Sequence, residues 1–388
     1  MSSLDAKIFI TLFLGVFATT LGVGLVAPLL PVYAHELGAD AFQVGLIFGA
    51  FSLSRTVFVP YFGKLSDKKG RKPFLALGLF IYFLLSILYV LSRNVEMLVF
   101  IRLGQGFASA MILPVAQAYV GTITPQKKEG LTMGLFNISL FAGLSVGPIL
   151  GGLVKDRFNI QVSFLSMGAL TLFAFILCLL LLPSETEQMR KRASDTVGPP
   201  KYLKIIKEPA IFSLFAYRAC FTTGIGIVWA FLPLFASTRL DLSSSIIGMI
   251  VAMNVLVSGI FQTPMGFLAD RLDKKLLIIT GGILAIISMF YIGMASSFKE
   301  LLLANGIFGL AGGISIPATM ALGVIEGRRI DAMGSMMGLL TMAHSLGMLT
   351  GPILAGILLD LFSFTSIFVF GMIIMGVGTI VFFFLNFP

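Results

Sequence analysis

Long apolar runs alternate with short polar punctuation along the whole chain. Twelve runs can be traced, at about 8–33, 43–63, 73–92, 97–121, 131–154, 161–183, 209–236, 244–266, 276–297, 300–325, 333–359 and 365–386. Each holds roughly 20 residues or more, enough to cross a bilayer as an α-helix. The polar connections are short, except between Pro183 and Pro209. That segment carries Glu185, Glu187, Arg190, Lys191, Arg192 and the breaker Gly198-Pro199-Pro200, and it reads as a linker.

Two features recur. Gly63-Lys-Leu-Ser-Asp67-Lys-Lys-Gly70-Arg71-Lys-Pro73 separates the second and third runs. Gly266-Phe-Leu-Ala-Asp270-Arg-Leu-Asp-Lys-Lys275 repeats its Gly, Leu and Asp 203 residues later. The fifth run holds Gly134-x8-Gly143-x3-Gly147-Pro148-x2-Gly151-Gly152, and the eleventh holds Gly338-x8-Gly347-x3-Gly351-Pro352-x2-Ala355-Gly356. A shared long period means two homologous halves. Gly63 and Gly70 read as turn positions that permit close backbone approach and φ > 0. The glycines of the fifth and eleventh runs read as helix-packing seams, and a proline kink there could serve as a pivot.

Composition narrows the class. Hydrophobic residues make up 57% of the 388, with mean hydropathy +1.00, and only 12% are charged. A soluble protein cannot bury that much apolar surface, so the chain is a polytopic membrane protein. The net charge of +9 follows from topology, not from nucleic-acid binding. With the N-terminus in the cytoplasm, 19 Lys and Arg fall on the inner side and 5 on the outer. That bias places both termini in the cytoplasm of a multi-pass inner-membrane protein. Cys178 and Cys220 lie inside apolar runs and read as small hydrophobes. With only His35 and His344, a His-rich metal site is excluded, and no cofactor is expected. The first run is too long for a cleaved signal peptide.

The residues from Gly63 to Lys72 resemble the loop 2–3 signature of the major facilitator superfamily. The glycine-proline pattern of the fifth run is similar to the antiporter signature of its twelve-helix drug:proton antiporter branch. Arg102-Leu-Gly-Gln105-Gly106 and Gly22-Val-Gly24-Leu-Val-Ala-Pro28-Leu-Leu-Pro31 are similar to that branch's span 4 and span 1 elements. The resemblance implies an all-α fold of two six-helix pseudo-symmetric bundles, 1–183 and 209–388, joined by a cytoplasmic linker at 184–208. It implies alternating access around a central cavity. Asp67, with Arg71 beside it, would latch onto the start of span 11, and Asp270 holds the repeated position. Arg102 would take part in proton transfer. Gating would involve Gly63, Asp67, Gly70, Arg71, Asp270, Gly143, Gly147, Pro148, Gly151, Gly351 and Pro352.

The charges inside the runs depart from a cation exporter. All 18 acids lie in connections or at run edges, while Arg55, Arg102 and Arg218 lie inside. Intramembrane ionisable groups are costly and mark function by default. Arg102 stands near the outer end of its span and could snorkel outward. Arg55 and Arg218 suit the binding of an anionic group, or else bond backbone carbonyls at a broken helix. The latter is invited by Thr222-Thr-Gly224-Ile-Gly226. His344 is the one obvious neutral-pH titrating group in the spans and is read either as a proton site or as a packed neutral residue. Other polar candidates are Gln105, Tyr217, Thr222, Thr223, Trp229, Asn254, Asn305 and Thr341. Substrate binding is assigned to Arg55, Arg218, Gln105, Tyr217 and Asn254, and proton coupling to Arg102 and His344.

The expected function is secondary active transport, with proton-coupled efflux of small amphipathic organic compounds. The alternative is an anion-preferring exporter, an exchanger, or a flippase for lipids or lysolipids that uses the membrane arginines. A monomer is expected, with the bilayer, a small-molecule substrate and protons as partners and no nucleic acid. No P-loop or nucleophile–His–acid set is present to suggest an enzyme.

Overall fold

The computed structural model describes the backbone of residues 3–124, 129–183, 205–330 and 333–386. Among the described residues, twelve helical segments are long and apolar enough to cross a membrane. Span 1 is Ser3–Val26 plus Leu30–Glu36, span 2 Ala41–Lys69, span 3 Arg71–Leu91, and span 4 Val95–Ala110 plus Leu113–Ile123. Span 5 is Glu129–Arg157, span 6 Ile160–Leu181, span 7 Pro209–Thr238 and span 8 Ser244–Arg271. Span 9 is Lys274–Met294, span 10 Phe298–Arg329, span 11 Met333–Leu361 and span 12 Phe364–Asn386. The described residues are helices and short turns, as the apolar runs predict.

Proline acts differently by position. Spans 1 and 4 break at turns, and each second helix carries a proline in its first turn, Pro31 and Pro114. There the missing N–H costs nothing. Pro148 and Pro352 instead lie inside helices that continue through them. Span 7 is also continuous through Gly224 and Gly226, so the broken helix expected there is absent.

The stretch after Gly63 is a correction too. Residues 63–69 continue the helix of span 2, and only Gly70 turns the chain, at φ 93° and ψ 150°. A Cβ on Gly63 would meet nothing within 4 Å, so Gly63 is not a site of close approach. The apolar helix simply runs on into its polar end. Gly70 occupies a region that side-chain-bearing residues avoid, at a cost of about 1–3 kcal/mol. Gly70→Ala should therefore lower the thermal midpoint of the purified protein, whereas Gly63→Ala should not. Equal midpoints for the two variants would refute the assignment of the turn to Gly70.

The chain divides into two compact units. One contains residues 1–37, 50–197 and 243–248, the other 38–49, 198–242 and 249–388. In the first, span 1 packs on spans 5 and 6, and span 3 on spans 4 and 6. In the second, span 7 packs on spans 11 and 12, and span 9 on spans 10 and 12. The same pairing recurs six spans later, as the sequence repeat requires.

The glycine seams are where backbones meet. In the first unit a Cβ on Gly147 would stand 2.7 Å from Gly24 Cα, and one on Gly143 would strike the Thr20 hydroxyl. Thr20 Oγ1 donates to Val16 O in its own helix at 2.8 Å and reaches Ser139 O across the seam at 3.3 Å. In the second unit Gly347 and Gly351 press on the backbone of Ala219 and Thr223. Thr222 Oγ1 donates to Arg218 O at 2.8 Å and reaches Ala343 O at 3.3 Å. Small residues let the helices approach this closely without any hydrophobic driving force between them.

Each seam helix ends in an aspartate that caps another helix. In the first unit Asp156 accepts from Ser244 N at 3.1 Å and Ser245 N at 2.8 Å, and also from the Ser245 hydroxyl. In the second, Asp360 accepts from Ala41 N at 2.9 Å and Phe42 N at 2.8 Å. The acids satisfy the orphan donors at the starts of spans 8 and 2 and complement their dipoles. Asp360→Ala should cost about 1–2 kcal/mol, read as a lower thermal midpoint that Asp360→Asn partly restores. An unchanged midpoint in Asp360→Ala would show that the cap contributes nothing.

Candidate functional site

In the first unit a polar cluster forms where spans 2, 3 and 4 meet. Gly106 on span 4 lets the backbone of span 2 approach at Phe51 and Ser54. That approach sets the Phe51 ring under Arg102, whose guanidinium carbon lies 4.5 Å from the ring centroid. Arg102 Nη1 donates to Gln105 Oε1 at 3.3 Å, and the same oxygen accepts from Tyr89 Oη at 2.8 Å. Tyr89 stacks on Phe164 of span 6 with centroids 4.8 Å apart. Arg102 thus turns inward, not out to the headgroups, because an aromatic face and an amide oxygen receive it. Tyr82 is fully buried and lies within electrostatic reach of both Arg102 and Arg55.

The second unit is built differently at the matching place. Asn305 stands where the repeat puts Arg102, and Asn254 where it puts Phe51. Asn254 Nδ2 donates to Asn305 O at 3.1 Å and to Asn305 Oδ1 at 3.2 Å, while Asn305 Nδ2 donates to Ile250 O at 2.8 Å. An amide clamp between spans 8 and 10 replaces the cation–π pair. The Asn254 amide nitrogen thereby fastens two helices.

Arg218 and Tyr217 lie on span 7, which has 78% of its apolar window buried against 33–56% for the other spans. Arg218 is 8% exposed and Tyr217 is 3%. Tyr217 stacks on Phe221 and packs on Phe382, and Phe221 stacks on Phe308 of span 10. Arg218 Nε and Tyr217 Oη are both buried without a hydrogen-bond partner, although Ser315 lies beside the phenol. Neither Arg218 nor Arg55 makes a side-chain hydrogen bond or ion pair among the described residues. Both helices are continuous, so the expected alternative of bonding to carbonyls at a helix break is not found.

Arg102 and Gln105 are therefore brought together, and so are Tyr217 and Arg218. Arg55 approaches the first cluster through Tyr82, and Asn254 joins none of them. His344 is half-buried one residue beyond Ala343 at the span 11 seam. Arg71 is buried at the start of span 3. The side chains of Asp67 and Asp270, and residues 331–332 before span 11, lie outside the described residues, as does the linker at 184–204. No group of three or more metal-ligating side chains occurs among the described residues.

Sequence reading passed over Tyr82, Tyr89, Asp156 and Asp360. The aspartates carried a signal, since they sit 204 residues apart, the offset of the glycine seams. Lys72 was read only as part of the loop 2–3 signature, yet its Nζ donates to Leu179 O at 2.9 Å near the end of span 6.

The family model of the Major Facilitator Superfamily matches residues 12–239 and again 214–388. An uncharacterised MFS-type transporter of Methanocaldococcus jannaschii is 30% identical over 378 residues, 96% of either chain. Multidrug resistance protein 2 of Bacillus subtilis is 29% identical over 364 residues, 91% of this chain and 89% of the relative. The crystal structure of a mutant of the nucleoside transporter NupG superposes with a TM-score of 0.83 at 15% identity, covering 98% of this chain and 100% of that one. At that identity the likeness is one of fold.

Proposed function

This chain belongs to the Major Facilitator Superfamily of membrane transporters, and we propose that it exports small amphipathic organic compounds, coupled to protons. The observation that carries the proposal is the backbone-to-backbone seam of Gly143, Gly147 and Gly151 on span 1, repeated by Gly347 and Gly351 on span 7. Tight seams make each half a stiff body, which suits rocking of residues 1–183 against 209–388 around a midplane site. The multidrug resistance relative supports drug-like substrates. The inside bias of Lys and Arg supports cytoplasmic termini.

Arg102 with Gln105 and Tyr89 is the proposed proton-coupling centre, and His344 a second titrating group. Arg55, Arg218, Gln105 and Tyr217 are the proposed substrate contacts. Asn254 acts on the site indirectly, by holding span 8 to span 10. Asp67, Gly70, Arg71, Asp270, Pro148 and Pro352 belong to the proposed gating elements.

The test is reconstitution in liposomes with an imposed pH gradient, following lumenal pH as amphiphiles are added. Proton movement that depends on both protein and amphiphile supports the proposal. Amphiphile movement indifferent to the gradient removes proton coupling, and no movement of any amphiphile removes the exporter.

A further inference from the structure

We propose that Arg218 anchors the head of an organic anion, a small amphiphile carrying one carboxylate or sulfonate. The inference rests on the exporter reading above and names its substrate class.

Span 7 spends three of its sides on its own unit. Ala219, Thr222, Thr223 and Gly226 meet span 11. Tyr217, Cys220 and Gly224 meet span 12. Phe221 meets Phe308 and Gly312 of span 10. At roughly 100° per residue, Arg218 falls outside all three arcs. Ile225 and Trp229 share its sector, and both are partly exposed between buried neighbours. Arg218 thus leaves span 7 on a sector that none of these three contacts occupies.

Its surroundings hold nothing that matches it. Arg218 lies about 13 Å along the helix from Pro209 and about 30 Å from Thr238, and its side chain is buried. Every Asp and Glu lies near a helix end or in a connection. Arg218 Nε is buried and unpaired. Buried donors normally find acceptors. A buried guanidinium donor left open describes a place for an acceptor that the chain does not supply. A carboxylate or sulfonate provides it, and the guanidinium fork suits its oxygens.

The first half carries the same chemistry in a different place. Arg55 also lacks a hydrogen bond or ion pair among the described residues. Its repeat-equivalent is Ser258, which lies against the side of Gly312 that Phe221 also touches. The two arginines are therefore not copies of one structural position. Ile225 and Trp229, partly exposed on the same sector as Arg218, supply apolar surface for the body of an amphiphile. A cation brought to Arg218 would meet like charge with no carboxylate to offset it.

Trp229 is the only tryptophan in the chain and lies three turns beyond Arg218 on the same sector, which makes it a local donor for energy transfer. The full chain, purified in neutral detergent, is titrated with dansylglycine, dansylamide and dansylcadaverine, which share one fluorophore and differ in charge. Sensitised emission on excitation of Trp229 is the readout, with Trp229→Phe as the blank. The expected order of affinity is anion, neutral, cation, and this order on the unaltered protein decides the question without any variant. Arg218→Gln should weaken dansylglycine about tenfold or more, as loss of a charged hydrogen bond does, and Arg218→Lys should restore part of it. Dansylcadaverine should not weaken in Arg218→Gln.

Equal or tighter binding of dansylcadaverine by the unaltered protein overturns the anchor. So does dansylglycine binding unchanged in a folded Arg218→Gln protein. Displacement of dansylglycine by phosphatidylglycerol, with no dansylglycine flux in proteoliposomes, assigns the anchor to a lipid headgroup and overturns the soluble substrate. Flux of dansylcadaverine alone leaves the exporter standing and removes the anion anchor. Anion binding lost in Arg218→Gln, with no flux of any probe and none displaced by lipid, sustains the anchor and removes the exporter.

Discussion

Gly147→Val will leave little folded protein. A Cβ at this position would stand 2.7 Å from both Gly24 Cα and Leu21 O, atoms of the backbone of span 1. A flexible side chain could move aside, but a helix backbone held by its own hydrogen bonds cannot. Overpacking typically costs about 1–3 kcal/mol and occasionally more. A clash with backbone along a whole seam belongs at or above the top of that range. The same reasoning applies to Gly351→Val against Thr223 in the other half. Gly15→Ala supplies the control, because a Cβ there meets nothing within 4 Å. It should be neutral or stabilising by roughly 0.5–1 kcal/mol, since glycine inside a helix costs entropy. Size-exclusion profiles and melting curves of the three variants in detergent check this. A Gly147→Val protein that melts with the wild type would mean that the seam is not tightly closed in solution.

Arg102→Ala should spare folding and strip transport of its dependence on the pH gradient. The change removes the cation over the Phe51 ring and one of the two donors to Gln105 Oε1. Tyr89 still satisfies that oxygen, so the amide is not left bare and the cluster holds. With the coupling residue gone, gradient-driven flux should fall by about tenfold or more, a barrier change of at least ~1.4 kcal/mol. Arg102→Lys should rescue poorly, because an ammonium cannot cover the ring and reach Gln105 with a planar fork. Flux in reconstituted vesicles, with and without the gradient, is the measurement. Full gradient-driven flux in Arg102→Ala would move proton coupling elsewhere, with His344 the next residue to replace.

The two halves also show how repeats diverge under one fold. Gly106 and Gly309 bring span 4 onto Phe51 and span 10 onto Asn254 in the same way. The side chains above them form a cation–π pair in one half and an amide clamp in the other. Backbone approach is set by glycine and is shared. The polar chemistry on top of it is free to differ.

The sequence alone determined the membrane class, the twelve spans and the two-fold repeat. Those properties reside in local quantities, namely run length, hydropathy and a recurring spacing of glycines. It also determined that charge inside the spans is cationic, because Arg55, Arg102 and Arg218 stand in apolar runs and every acid stands outside their middles. Only the tertiary structure decided which polar groups meet. Tyr89 reaches Gln105 from span 3, Asp156 and Asp360 cap helices 88 and 319 residues away in sequence, and Asn254 closes on Asn305. Such contacts depend on how helices rotate and cross, which apolar periodicity constrains weakly when lipid and protein interior are equally apolar. The unmet Nε of Arg218 is of the same kind. An unmet donor is a property of everything packed near it, and no residue in the chain announces it.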